Sequence, residues 1–195
     1  MFIVSDQLVD SGFAAEIQEL VYGFEKPLTW GYSDLAVRIV EKPIGILNDN
    51  VKEAFYFSAD VPAEHPIYTK IVEYLIPILN QQGIQIGDNY IYRFRSNIFT
   101  KQNETYRGSH HTIHVDDPGG TFISFLYYVE DSDGETVFFN EVYSDTMTKD
   151  GLSEKIRVTP KRGRYALFDS NIYHASASPV DSPKRSVLNF VFEVG

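Results

Sequence analysis

The chain has 195 residues and no cysteine, which excludes disulfides, thiolate metal sites and a cysteine nucleophile. Hydrophobic residues make up 43%, with 14 Phe and 13 Tyr, enough for one domain with a substantial core and unlike a disordered chain. Of the net charge of −10, residues 1–90 hold −8 (5 Lys/Arg against 13 Asp/Glu), which argues against broad electrostatic binding to nucleic acid.

The first residues, MFIVSDQLVDSGF, show neither a basic n-region nor a small-residue cleavage site. No apolar run reaches the roughly 18 residues of a membrane span, so a cytoplasmic protein is expected. Ser11 is placed to cap a helix over 12–23, where Phe13, Ile17, Leu20 and Val21 recur at helical spacing. Between Trp30 and Asp60, LAVRIV and AFYFSA read as strand fragments, while Trp30 itself could be core or a substrate-contact loop. A second helix is expected over 66–82, with Ile67, Ile71, Val72, Leu75, Ile76 and Leu79 as its apolar stripe. Gly83 is its stop, and Pro77 is a point where it could kink or shorten.

From residue 84 the chain reads as strands: NYIYRFRSNIF, TIHVD, TFISFLYYVE, ETVFFN, KIRVTP, RYALFDS and SVLNFVFE, with turns at DDPGG, DSDG and PKRG. The expected fold is mainly β with flanking helices, built on a double-stranded β-helix (jelly-roll, cupin-like) core. Residues 1–195 are read as a single domain, with a mixed α/β flanking region at 1–83 and the core at 84–195.

His114-Val115-Asp116 places an imidazole and a carboxylate on one face if the segment is a strand. His174, just past RYALFDS, is the candidate third ligand. Two histidines and one carboxylate with open positions are the donor set of non-haem Fe(II) oxygenases. Arg185 opens the closing strand, and its fork of donors can grip a carboxylate bidentately. Asn189, four residues on, falls on the same side of that strand and would point toward the same cofactor-binding pocket.

These residues resemble the Fe(II)/2-oxoglutarate-dependent dioxygenases, in particular the prolyl 4-hydroxylase-like branch with its small phage and bacterial oxygenases. The matching text is HVDD, FLYYVEDSDGETVFFN, GRYALFDSNIYHASASP and KRSVLNF, a little over half the chain. The resemblance implies His114, Asp116 and His174 as iron ligands and Arg185 as the partner of the distal carboxylate of 2-oxoglutarate. It implies Tyr128 as a second contact to that carboxylate and Thr136 as a lining residue of the co-substrate pocket. The implied reaction uses Fe(II), 2-oxoglutarate and O2, hydroxylates an unidentified substrate and releases succinate and CO2. A prolyl or other amino-acid side chain leads among substrates, in a peptide or as a small molecule. A nucleobase is disfavoured, because Val191 stands where nucleobase demethylases of the family usually carry a second arginine. A non-catalytic jelly-roll binding module and a cupin-like enzyme with another metal are the alternatives from other classes. An intact set of four residues argues against both.

Plainer readings apply elsewhere. Arg93, Arg95 and Asn97 alternate along one strand and could line the substrate mouth or the co-substrate pocket, or meet solvent. His110 and His111 read as a solvated loop rather than substrate contacts. Tyr90, Tyr92 and Phe94 read as core, and Tyr127 should face away from the pocket if Tyr128 faces in. Asp131-Ser132-Asp133-Gly134 reads as a hairpin turn rather than a calcium loop. Lys161, Arg162 and Arg164 read as a solvated turn, and the polar segment Thr100 to Ser109 as a flap over the site.

Overall fold

The structure is a computed structural model that describes residues 1–6, 11–33, 50–84 and 86–194. In chain order it holds β1 (Phe2–Ser5), α1 (Ser11–Tyr22), β2 (Gly31–Ser33), β3 (Tyr56–Asp60), α2 (Pro66–Gln81) and β4 (Ile86–Thr100). There follow β5 (Phe122–Tyr128), β6 (Thr136–Val142), β7 (Glu154–Val158), β8 (Tyr165–Asp169), β9 (Ile172–Ser176) and β10 (Lys184–Val194). A seven-stranded sheet runs β1-β8-β5-β10-β4-β3-β2, and a three-stranded sheet runs β7-β6-β9. The pairings of these strands are antiparallel, as a jelly-roll requires.

The large sheet is covered on both faces, which is why β5 reads FISFLYY with no polar alternation. Ile123, Phe125 and Tyr127 pack toward the helices with Ile17, Ile67, Ile71 and Leu75. Leu126 and Tyr128 point the other way, into a cluster with Phe138, Phe168 and Val187 that fills the space between the sheets. Tyr127 therefore faces away from the pocket, as the strand period predicts. Trp30 packs, partly buried, against the helix-side cluster.

α2 starts where expected because His65 caps it, accepting from the Ile67 amide at 3.2 Å, and Pro66 occupies the first turn. Gly83, at φ 72°, takes the left-handed conformation that ends it. The helix continues past Pro77 to Gln81. Its buried stripe is Ile67, Ile71, Leu75, Ile78 and Leu79, while Ile76 is 41% exposed. A period of 3.6 from Leu75 returns to the core at 78 and 79, not at 76.

Other expectations need correction. TIHVD is not a strand: His114 makes only a single bridge, to His174, with reciprocal amide–carbonyl bonds of 2.9 and 2.8 Å. At Asp116 the backbone turns to the Ser170 carbonyl instead, at 2.9 Å. β1, β2 and β9 were not legible, and His174 sits inside β9 rather than at the end of a strand formed by RYALFDS. LAVRIV lies outside the described residues, as do the side chains of Tyr90 and Tyr92. No described helix is long and apolar enough to cross a membrane.

Candidate active site

His114, Asp116 and His174 each offer a ligand atom, and these atoms lie within 4.8 Å of one another. Three short pieces of chain bring them together: the bridge at His114, the turn of Asp116 onto Ser170, and the middle of β9. Both imidazoles turn Nδ1 to a backbone carbonyl two residues earlier, Thr112 and Ile172, at 3.0 Å each. A carbonyl can only accept, so Nδ1 carries the hydrogen and Nε2 keeps a lone pair for a metal. Burial pushes the His114 pKa down to about 4, and the neighbouring His174 acts in the same direction.

Asp116 is held from several sides. Ser124 donates to its Oδ2 at 2.6 Å and is itself 2.9 Å from the Ser170 hydroxyl. Arg93 donates through Nη2 to Oδ1, and Asn189 approaches both oxygens at 3.4 and 3.5 Å. Burial alone would raise the Asp116 carboxyl, but Arg93, His174 and His114 outweigh it and hold it well below the usual carboxylate range. The carboxylate is thus ionised and oriented. Two imidazoles with free Nε2 and one such carboxylate fit a divalent iron.

Arg185 is 0% exposed, and among the described residues no carboxylate pairs with it. Its Nη2 donates to Thr136 Oγ1 at 2.8 Å and its Nη1 to Ser176 Oγ at 3.3 Å, while Nε is buried with no partner. The guanidinium lies 5.0 Å from the Phe99 ring and 5.9 Å from that of Tyr128. Gly134 allows this approach: a Cβ there would sit 2.7 Å from the Ala177 carbonyl oxygen and 3.0 Å from Arg185 Cδ. Burial draws the Arg185 pKa down to about 10. A buried guanidinium without a counter-ion is costly, so it marks a place for an anion that the chain does not supply. Tyr128 donates to Thr136 Oγ1 at 2.8 Å, and burial raises its pKa. The Thr136 oxygen accepts from Tyr128 and Arg185 together, which leaves its own hydrogen to donate.

The structure therefore brings Tyr128, Thr136 and Arg185 into one cluster, and Asp116, Asn189 and both histidines into another. Ser124, Ser170, Ser176 and Phe99 were missed. Ser124 lies four residues before Tyr128 on β5, so the strand period could have found it. Arg95 pairs with Asp60 at 2.8 Å in an exposed position. His110 and His111 are not solvated: they are 1% and 0% exposed, with His110 edge-on to Phe139 and His111 stacked on Phe99. Glu53 binds the Thr112 amide at 2.6 Å. Burial would raise its pKa, but the His111 ring, 3.6 Å away, and the bonds from Thr112 hold it at about 2. Asp133 accepts from the amides of Val180, Asp181 and Ser182 at 2.7–2.9 Å, a turn-fixing role. Arg164 pairs with Asp6 at 2.7 Å. The segment read as a flap is tied down: Arg107 bonds Asp181 at 2.9 and 3.0 Å, and the Tyr106 hydroxyl bonds the Glu53 carbonyl at 3.0 Å.

Residues 101–193 match the model of the 2OG-Fe(II) oxygenase superfamily. The match spans just under half of the chain and is a likeness to that superfamily. The chain is an oxygenase that uses Fe(II), 2-oxoglutarate and O2. No curated protein matches the sequence. Among solved structures, a 2OG-Fe(II) oxygenase family oxidoreductase from Burkholderia pseudomallei is 12% identical, with a TM-score of 0.62 over 98% of this chain and 84% of that one. A Trichoplax adhaerens prolyl hydroxylase, bound to a peptide of the hypoxia inducible factor oxygen degradation domain, is 14% identical with a TM-score of 0.58, covering 98% and 83%. A Pseudomonas putida prolyl-4-hydroxylase is 16% identical with a TM-score of 0.54, covering 98% and 91%. At these identities the likeness shows the shared fold.

Proposed function

We propose that this oxygenase hydroxylates a prolyl or other amino-acid side chain, with His114, Asp116 and His174 holding Fe(II) and Arg185 clamping the distal carboxylate of 2-oxoglutarate. The observation that carries this reading is Arg185, fully buried, without a counter-ion among the described residues, and bonded to Ser176, two residues past His174 on β9. The choice of substrate rests on the fold likeness to prolyl hydroxylases. We also take the whole chain as one domain. In support, β2 and β3 extend the same sheet as β10, and both helices share one cluster with β5 and β10.

When bound, the iron and its co-substrate would supply the oxidising power that splits O2 between succinate and the hydroxylated product. The chain's residues do the rest. The Nε2 atoms of both histidines and one oxygen of Asp116 hold the metal. The carbonyls of Thr112 and Ile172 fix the imidazole tautomers, and Ser124 fixes the carboxylate. Arg185 supplies two charge-assisted donors and Thr136 a third, with Tyr128 fixing the threonine rotor. Phe138 and Phe168, with ring centres 5.9 and 4.9 Å from the His174 ring, keep that end of the groove dry.

The test is 2-oxoglutarate turnover by purified protein given Fe(II) and air, with and without proline-containing peptides. Succinate release that a peptide stimulates, with equal hydroxylated peptide, is the expected outcome. Peptide-independent succinate alone would remove the peptide substrate, and no succinate from iron-loaded protein would remove the enzyme reading.

A further inference from the structure

We infer that Arg93 is a second anion clamp, which receives a carboxylate of the primary substrate at the end of the groove opposite Arg185. The inference rests on the iron and 2-oxoglutarate assignments above. Arg185 pairs with Phe99 across β10 and β4, and Arg93 pairs with Val191. Six strand residues therefore separate the two arginines, about 20 Å at strand rise. Asp116, touched by both Arg93 and Asn189, lies between them.

The two ends differ in access. Arg185 is sealed, whereas the Arg93 side chain is 24% exposed, so an incoming molecule can reach it. Among the described residues only Nη2 of Arg93 is engaged, by Asp116, and its Nε is buried with no partner. Asp116 is its only ion-pair partner among the described residues, and Arg95, next on the same face, is already matched by Asp60. The charges leave a vacancy. Arg93, Arg185 and Asp116 sum to plus one, Fe(II) and 2-oxoglutarate cancel, and ligating imidazoles are neutral. One negative group brought by the substrate would balance the groove. Asn189 Oδ1, also buried without a partner, is an acceptor close by. A carboxylate next to an N–H donor is the chemistry that fits, as in a free amino acid or a peptide C-terminus.

The test uses protein loaded anaerobically with Fe(II) and 2-oxoglutarate, whose visible chelate band reports on the iron's surroundings. The band is titrated with the protein L-amino acids, each as free acid and as carboxamide. At least one acid is expected to shift the band at a concentration about tenfold below its amide, because the amide loses a charge-assisted fork. Arg93→Gln should erase that preference. Arg93→Lys, which keeps a charge beside Asp116, should reduce it while raising the 2-oxoglutarate midpoint less than Arg185→Lys does, since Arg93 reaches the metal only through Asp116. Acids and amides of equal strength, or no acid that shifts the band, would overturn the inference. So would a 2-oxoglutarate midpoint that rises in Arg93→Lys as far as in Arg185→Lys, since Arg93 would then serve the co-substrate's other carboxylate. Iron-loaded wild type with no chelate band would remove the co-substrate assignment instead, and this inference with it.

Discussion

The two faces of the large sheet are made by the same strands, one residue out of step, and they do opposite work. Toward the helices, Phe94, Phe125, Leu188, Phe190 and Phe192 meet Ile17, Ile67, Ile71 and Leu75 in an apolar layer. Toward the small sheet, the alternate residues Ser124, Arg185 and Asn189 sit among Leu126, Tyr128 and Val187. The pleat thus lets one strand hold the fold with one side and build the site with the other. The polar face carries an uncompensated buried charge, and the apolar face carries the burial that tolerates it.

Substitutions on the two faces should part company. Asp116→Ala should abolish iron binding and turnover, since it removes a ligand and leaves Arg93 unpaired; retained iron stoichiometry would place the metal elsewhere. Phe190→Ala, on the helix side, should cost about 3–5 kcal/mol in urea unfolding with the 2-oxoglutarate midpoint unmoved. Arg185→Met should do the reverse, stabilising the metal-free protein by about 1–4 kcal/mol as a buried charge gives way to an apolar side chain, while the chelate band is lost. Destabilisation by Arg185→Met would mean that the guanidinium is a structural group. Ser124→Ala should weaken iron binding by about tenfold through a less well held Asp116, measured by competition with a chelator.

The smallest effect is one of pH. The Glu53 pKa lies at about 2 in the fold against 4.5 ordinarily, so between those values the unfolded chain binds the extra proton. Glu53 therefore contributes stability that is present above pH 4.5 and is lost as pH falls toward 2. Glu53→Gln should flatten the unfolding midpoint across that window; an unchanged slope would show that Glu53 does not fasten the segment leading to His114.

The jelly-roll class, both helices and the clustering of His114, Asp116 and His174 were legible because each has a local signature. The helices follow from spacing, and the site follows from residue types at set distances. β1 and β2 were not legible, since strands of four and three residues at the sheet edges carry too little period to read. β9 was hidden because it follows β8 after only two residues, so RYALFDSNIYHASAS reads as one strand with a tail. The inference that His114 and Asp116 share a strand face brings the two together through the wrong element, since a bridge and a turn converge them. His110 and His111 read as surface because nothing local announces that Phe139 and Phe99 will cover them. Arg93 was legible as a candidate for the substrate mouth, but its bond to Asp116 shows only in three dimensions.

The His114, Asp116 and His174 cluster and Arg185 should act as one site. The most direct measurement of this is the visible spectrum of anaerobic protein given Fe(II) and then 2-oxoglutarate, for wild type, Asp116→Ala and Arg185→Met. A chelate band is expected in wild type alone, with Arg185→Met still binding iron. An equal band in Arg185→Met, at the same 2-oxoglutarate midpoint, would contradict a single site.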